Sequence, residues 1–113
     1  MPYIAINTSQ ELNTLQKEKI KAELGRLMEI IPTKTEASLL IDFSGGRTLY
    51  KGGINVDGAF IDIRLFGKSE LEPKKQYTAK VFQLLTRELG IQKENIYLNI
   101  GEYETWGSNG ELH

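Results

Sequence analysis

The chain contains no cysteine. Disulfides, thiolate metal ligands, thiol nucleophiles and CxxC redox chemistry are therefore excluded. Its one histidine is His113, at the last position, which removes a Ser–His–Asp triad and a multi-histidine metal centre from consideration. Neither sign of charge dominates. Fourteen Lys and Arg stand against fifteen Asp and Glu, a net charge of −1, and that balance argues against a basic nucleic-acid binder. The longest apolar runs are too short to cross a bilayer. The opening MPYIAINTSQEL has no basic stretch followed by an apolar core, so the expected location is the cytoplasm, with no membrane partner. What is present suits one globular domain: 113 residues, 40 % hydrophobic and 26 % charged, enough to bury a real core.

The first informative pattern is a duplication. PYIAINT at 2–8 reads as a strand, with Ile4 and Ile6 on one side and Tyr3 and Ala5 on the other. Thr8 and Glu11 have the spacing of a capping box. Leu12, Leu15, Ile20, Leu24, Leu27, Met28 and Ile31 then form the apolar stripe of an amphipathic helix that Pro32 ends. ASLLIDF at 37–43 reads as a second strand. The second half repeats the plan. AFIDIRLF at 59–66 alternates, with Ile61, Ile63 and Leu65 on one face and Asp62 and Arg64 on the other. Ser69 and Glu72 give a helix-start signal and Pro73 suits a first turn. Tyr77, Val81, Leu84, Leu85 and Leu89 supply the stripe, Gly90 stops it, and NIYLNI at 95–100 is again a strand. The strand starts at 2 and 37 are separated by the same 35 residues as those at 60 and 95, and the halves superpose with an offset of 58.

Two βαβ units (2–43 and 59–100) thus flank a glycine-rich hairpin segment (44–58), in which Arg47–Lys51 suits a short strand. A Gly-, Asn- and aromatic-bearing tail (101–113) suits an edge ribbon. The expected fold is α+β, a four-stranded mixed sheet with two antiparallel helices on one face and short edge strands. The other face is left open. Leu39–Ile41 and the Ile4/Ala5/Ile6 run cannot all hide under helices, so this face is expected to be partly aliphatic and to need a partner. A closed ring of identical chains is the economical cover.

With no Cys and no internal His, the most unusual chemical group is near the start. A small second residue permits removal of the initiator methionine, which would leave Pro2 with a free secondary amine. Burial and nearby cations both disfavour the protonated form of an amine, so such a nitrogen at the end of a buried strand is suited to general-base work near pH 7.

A Met–Pro start feeding a strand, two βαβ units and a short tail resembles the tautomerase superfamily. More closely it resembles the macrophage migration inhibitory factor family. The segments that carry the likeness are PYIAINT, LFGK at 65–68, KVFQLLTRELGI at 80–91, ENIYLNI at 94–100 and TWGSNGEL at 105–112, nearly the full length. The resemblance implies a homotrimer with active sites at subunit interfaces and the Pro2 amine at the base of each. It implies a 1,3-proton transfer, the keto–enol tautomerisation of a small 2-oxo acid such as phenylpyruvate, with no metal or organic cofactor.

Tyr97 and Asn99 match the family's Tyr-x-Asn and leave the same face of their strand. The resemblance makes them pocket residues supplied by the neighbouring subunit, Tyr97 flanking the substrate's aromatic part and Asn99 offering an amide. Phe66, before the Gly–Lys of LFGK, matches an apolar pocket residue whose backbone amide binds a carboxylate. The family's lysine after the first helix falls at Lys34 once a one-residue loop shift is allowed. Arg64 is the rival cation, because a guanidinium grips a carboxylate with two parallel bonds. Three departures matter. The CxxC of cytokine members is absent, the late tail tryptophan that borders some family pockets is replaced around Ser108 with Trp106 close by, and the tail is short. The alternatives are a non-catalytic trimeric cytokine-like binding or signalling protein, and a superfamily hydratase or decarboxylase of a small three-carbon acid, which Arg64 keeps open.

Overall fold

The structure is a computed structural model that describes residues 1–113. Strand β1 (Pro2–Thr8) leads to helix α1 (Thr14–Leu27) and strand β2 (Leu40–Ser44). A hairpin of β3 (Tyr50–Lys51) and β4 (Ile54–Asn55) follows. Then come β5 (Ala59–Phe66), α2 (Leu71–Leu89) and β6 (Ile96–Tyr103), and a closing ribbon of β7 (Gly107–Ser108) and β8 (Glu111–Leu112). The main sheet has the order β2-β1-β5-β6. β1 runs parallel to β2, β5 parallel to β6, and the two units meet antiparallel through β1 and β5, with Ile4 opposite Ile63 and Pro2 opposite Leu65. This is the mixed α+β sheet that the duplicated pattern implies.

Alternation decides which face is buried. Ile4 and Ile6 of β1 and Ile61, Ile63 and Leu65 of β5 are buried, as are Ile20, Leu24 and Met28 from the first helical segment and Tyr77, Val81, Leu84 and Leu85 from α2. The two helices cover that face, joined by the Tyr77 hydroxyl, which donates to the Leu24 carbonyl at 3.0 Å. The sequence pattern misplaces several boundaries. The first helix is capped by Asn13 and Gln16 in a reciprocal box, not by Thr8 and Glu11, because the Thr8 hydroxyl donates to the Gln10 carbonyl instead. Leu15 is 65 % exposed and does not join the stripe, since the helix starts only at Thr14. ASLLIDF is not one strand: Glu36–Ser38 is a single 3-10 turn and pairing begins at Leu40. The N-cap of α2 is Glu70 without a side-chain cap bond, because the Ser69 N–H is taken by Glu102 at 2.6 Å. Gly90 ends α2 in the left-handed conformation, φ 67°, as a stop glycine should. β6 runs on past Ile100 to Tyr103 because β5 still offers a partner as far as Phe66. In the connecting segment, Tyr50–Lys51 and Ile54–Asn55 pair across Gly52–Gly53, so the strand expected at Arg47–Lys51 is only its last two residues.

The uncovered face keeps part of the expected aliphatic character in Leu40 and Ala5, but aromatic and charged groups dominate it. Ile41 and Phe43 turn toward the core, as do Ile4 and Ile6. The face that remains carries Tyr3, Leu40, Asp42, Phe60, Asp62, Arg64, Tyr97 and Asn99, a mixture of aromatic and charged groups. The reason is the strict period of two on β1, β2 and β5, which sends nearly every aliphatic side chain under the helices.

Candidate active site

Pro2 is the first residue of β1 and is buried. Two contacts, one backbone and one side-chain, gather around it. The Phe66 N–H donates to the Met1 carbonyl at 3.2 Å, which extends the β1–β5 pairing by one residue. Lys34, only 8 % exposed, reaches the same corner and donates from Nζ to the Phe66 carbonyl at 2.6 Å. The turn before Lys34 puts Thr33 at φ 70°, and the Lys34 N–H closes on the Ile31 carbonyl at 3.1 Å. This local fold aims the lysine back along the sheet end. The amine of Met1 is held below its ordinary value, first by burial and then by the charge of Lys34. Lys34 therefore brings positive charge to the very segment that contains Pro2.

The loop after Phe66 is fixed from the other side. The Gly67 N–H donates to the Tyr103 carbonyl at 2.8 Å. Glu102 accepts from the Ser69 N–H and from Lys74 Nζ at 2.9 Å. Burial alone would raise the Glu102 carboxyl, but Lys74 and the Ser69 amide outweigh it and hold it below the usual carboxylate range. Phe66 packs near Trp106, ring centroids 6.4 Å apart, and Tyr103 flanks the same indole. Neither the Glu102–Lys74 clamp nor the Met1 carbonyl was foreseeable from sequence, because both join residues with no shared local motif.

Arg64 approaches from the open face. It leaves β5 on the open face, pairs with Asp62 at 3.0 Å, and lies 5.8 Å over the Tyr3 ring. Its guanidinium, kept protonated more firmly by the Asp62 hydrogen bond, lines an open cleft of about 450 Å³ with Tyr3, Leu40, Tyr103 and Trp106. Of the two rival cations, Lys34 bonds to the Phe66 backbone beside Met1, while Arg64 shares the Trp106 and Tyr103 neighbours of the Phe66 ring on the open face.

Tyr97 and Asn99 are exposed on β6 and face the open side. Tyr97 sits opposite Phe60 and Asn99 opposite Asp62, while Pro2 is level with Leu65. At about 3.3 Å per residue, Tyr97 is roughly 16 Å along the sheet from the Pro2 level. One chain thus carries Pro2, Lys34 and Phe66 at one corner and Tyr97 with Asn99 at another. Beside Tyr97 lies a cleft of about 190 Å³ lined by Leu49, Tyr50, Val56, Phe60 and Asn95. Lys51 leans over the Tyr97 ring at 5.4 Å from its centroid. No group of three or more His, Asp or Glu side chains is placed to hold a metal ion, and no helix is long and apolar enough to cross a membrane.

Two βαβ units about one mixed sheet, with a proline-led strand at its centre, define the tautomerase superfamily fold. The family model for macrophage migration inhibitory factor matches residues 1–111. The chain belongs to the macrophage migration inhibitory factor family. Among solved structures it is similar to the Leishmania major protein MIF2, with a TM-score of 0.92 and 22 % identity over 100 % of this chain and 97 % of that one. It is also similar to the migration inhibitory factor-like protein of Entamoeba histolytica, with a TM-score of 0.86 and 24 % identity over 99 % and 98 % of the two chains. A third similar structure is a protein inactivated by 2-oxo-3-pentynoate, with a TM-score of 0.82 and 13 % identity over 96 % and 93 %. No curated protein matches the sequence significantly.

Proposed function

We propose that the protein is a cofactor-independent keto–enol tautomerase of a 2-oxo acid such as phenylpyruvate. Loss of Met1 would free the Pro2 nitrogen as a secondary amine and, at the same time, free the Phe66 N–H that the Met1 carbonyl now occupies. Lys34 and that N–H would then bind the substrate carboxylate. The neutral Pro2 nitrogen would take a proton from the carbon next to the 2-oxo group. The C–H electrons would move into a carbon–carbon double bond and the carbonyl electrons onto oxygen, and the protonated Pro2 nitrogen would return its proton to that oxygen, giving the enol and the neutral amine again; the reverse sequence ketonises it. The second half of the site, Tyr97 and Asn99, would come from a neighbouring copy in a homotrimer, because within one chain these residues lie too far along the sheet.

One observation carries this reading: the Met1 amine next to Pro2, the Lys34 ammonium and the Phe66 backbone converge on one part-buried corner. A cation beside an amine disfavours its protonated form, which is what a base at neutral pH requires. Support also comes from the similar protein inactivated by 2-oxo-3-pentynoate, itself a 2-oxo acid. The test is an intact-mass measurement followed by an ultraviolet assay of phenylpyruvate ketonisation. The Met1-free protein is expected to be active, and Pro2→Ala and a form that retains Met1 to be inactive. Equal rates for all three would leave a non-catalytic, cytokine-like binding role as the better account.

A further inference from the structure

The cleft beside Tyr97 contains a charged group that the proposed chemistry leaves unused. Lys51 ends the first strand of the β3–β4 hairpin and is exposed. Its ammonium is anchored at one point, by donation to the Glu94 carbonyl, and stands over the face of Tyr97. It has no carboxylate partner: none of the ion pairs of the molecule includes it. An ammonium has three N–H donors, so two remain after the Glu94 bond. Below it, the cleft is walled by Leu49, Tyr50, Val56 and Phe60, and its volume of about 190 Å³ is on the scale of an apolar cavity that holds one benzene ring. The result is a ring-sized apolar slot with a fixed cation at its rim, next to the residue that would flank the aromatic part of a substrate.

We infer that Lys51 selects the far end of the substrate, so that the preferred ligands are aryl 2-oxo acids bearing an anionic group on the ring, opposite the 2-oxo acid end. The inference rests on the reading that Tyr97 lines the substrate site. Under it, Lys34 receives one end of the molecule and Lys51, from the neighbouring chain, receives the other. An unsubstituted phenyl ring would fill the slot and leave the Lys51 donors to water. A ring carboxylate would take them up as charge-assisted hydrogen bonds, the stronger kind.

The experiment compares phenylpyruvate with 4-carboxyphenylpyruvate on the Met1-free protein, by kcat/KM and, separately, by calorimetric binding to Pro2→Ala. Wild type is expected to favour the carboxylated compound by about fivefold to tenfold, below the full strength of a buried charged hydrogen bond because Lys51 is exposed. The preference is expected to shrink as salt is raised. Lys51→Met is expected to lose it and Lys51→Glu to reverse it, each read as the ratio of kcat/KM for the two compounds. Thermal melting of each variant shows that the hairpin and fold persist. If wild type shows no preference, or Lys51→Met keeps it, Lys51 is not the determinant. Should the binding preference appear without any turnover, the tautomerase reading fails and the anion-selective slot stands. Absence of binding by both compounds overturns both.

Discussion

Replacing Lys34 with methionine keeps the length of the side chain and removes its charge, and the structure sets three separate consequences. The first is on stability. Lys34 is buried and is the side-chain donor to the Phe66 carbonyl; leaving a buried acceptor unpaired costs about 1–3 kcal/mol, so Lys34→Met should melt lower but remain folded. The second is on binding. If Lys34 holds the substrate carboxylate, the lost hydrogen bond to a charged group is about 1.5–3 kcal/mol, or roughly a 10- to 150-fold rise in KM. The third is on pH. Lys34 lowers the Met1 amine by its charge, and a Pro2 amine freed at the same corner would feel the same cation, so removing the charge should move the rising limb of the pH–rate profile to higher pH. The assay is phenylpyruvate ketonisation across pH 5–9, paired with thermal melting. A purely structural lysine would lower the melting temperature alone. An unchanged KM together with an unmoved pH limb would refute the placement of Lys34 in the site and leave Arg64, by the companion variant Arg64→Ala, as the cation to test.

The remaining expectations concern the frame that holds this corner. Burial pushes the Tyr77 phenol above its ordinary value of 10.0, so its folded pKa exceeds its unfolded one. The stability it contributes is whole below pH 10 and should fall by about 1.4 kcal/mol per pH unit above it; denaturant titrations of Tyr77→Phe should lose that alkaline slope and show a cost near 1 kcal/mol at pH 7 from the missing bond to Leu24. Glu102 is held below its ordinary 4.5, which has the opposite sign: its contribution is present above the unfolded value and is lost as pH falls through the folded one. Glu102→Gln should remove that acid-side loss, read by denaturant midpoints between pH 3 and 6. A Cβ at Gly58 would sit 2.7 Å from the Asn95 backbone carbonyl, an atom that cannot swing away, so Gly58→Ala should lower the unfolding free energy from denaturant titration by about 1–3 kcal/mol. Asn13→Ala, which removes the reciprocal cap of α1, should cost about 1 kcal/mol in the same measurement.

The parts of the fold that alternate or recur were legible before any coordinates. Ile61, Ile63 and Leu65 lie on the buried face that their period of two implies, and the Tyr77-to-Leu89 stripe and the Gly90 stop match α2. Boundaries were lost where a polar side chain has two local uses. Thr8 has the spacing of a cap, yet it completes β1 and bonds to Gln10; Asn13 caps in its place. Leu39 reads as strand, but the 3-10 turn at Glu36–Ser38 tucks against α1 close to Gly25, and that approach depends on a residue eleven positions earlier. On the open face Leu40 and Ala5 remain, whereas Ile41 and Phe43 follow the period of two to the helical side with Ile4 and Ile6. At the site, Pro2, Lys34 and Phe66 were named from the sequence, whereas Met1 O, Glu102, Lys74 and Lys51 join across 28 to 65 residues and leave no local trace. Arg64 was named for its fork of donors, but its fork is already turned to Asp62.

The most direct test is a titration of the Pro2 nitrogen itself, by nitrogen-15 NMR on Met1-free protein carrying labelled proline, with intact mass verifying the terminus. The account requires that nitrogen to be neutral at pH 7 and to become harder to deprotonate when Lys34 is replaced by methionine. A Pro2 nitrogen still cationic at neutral pH, and indifferent to Lys34, would contradict it.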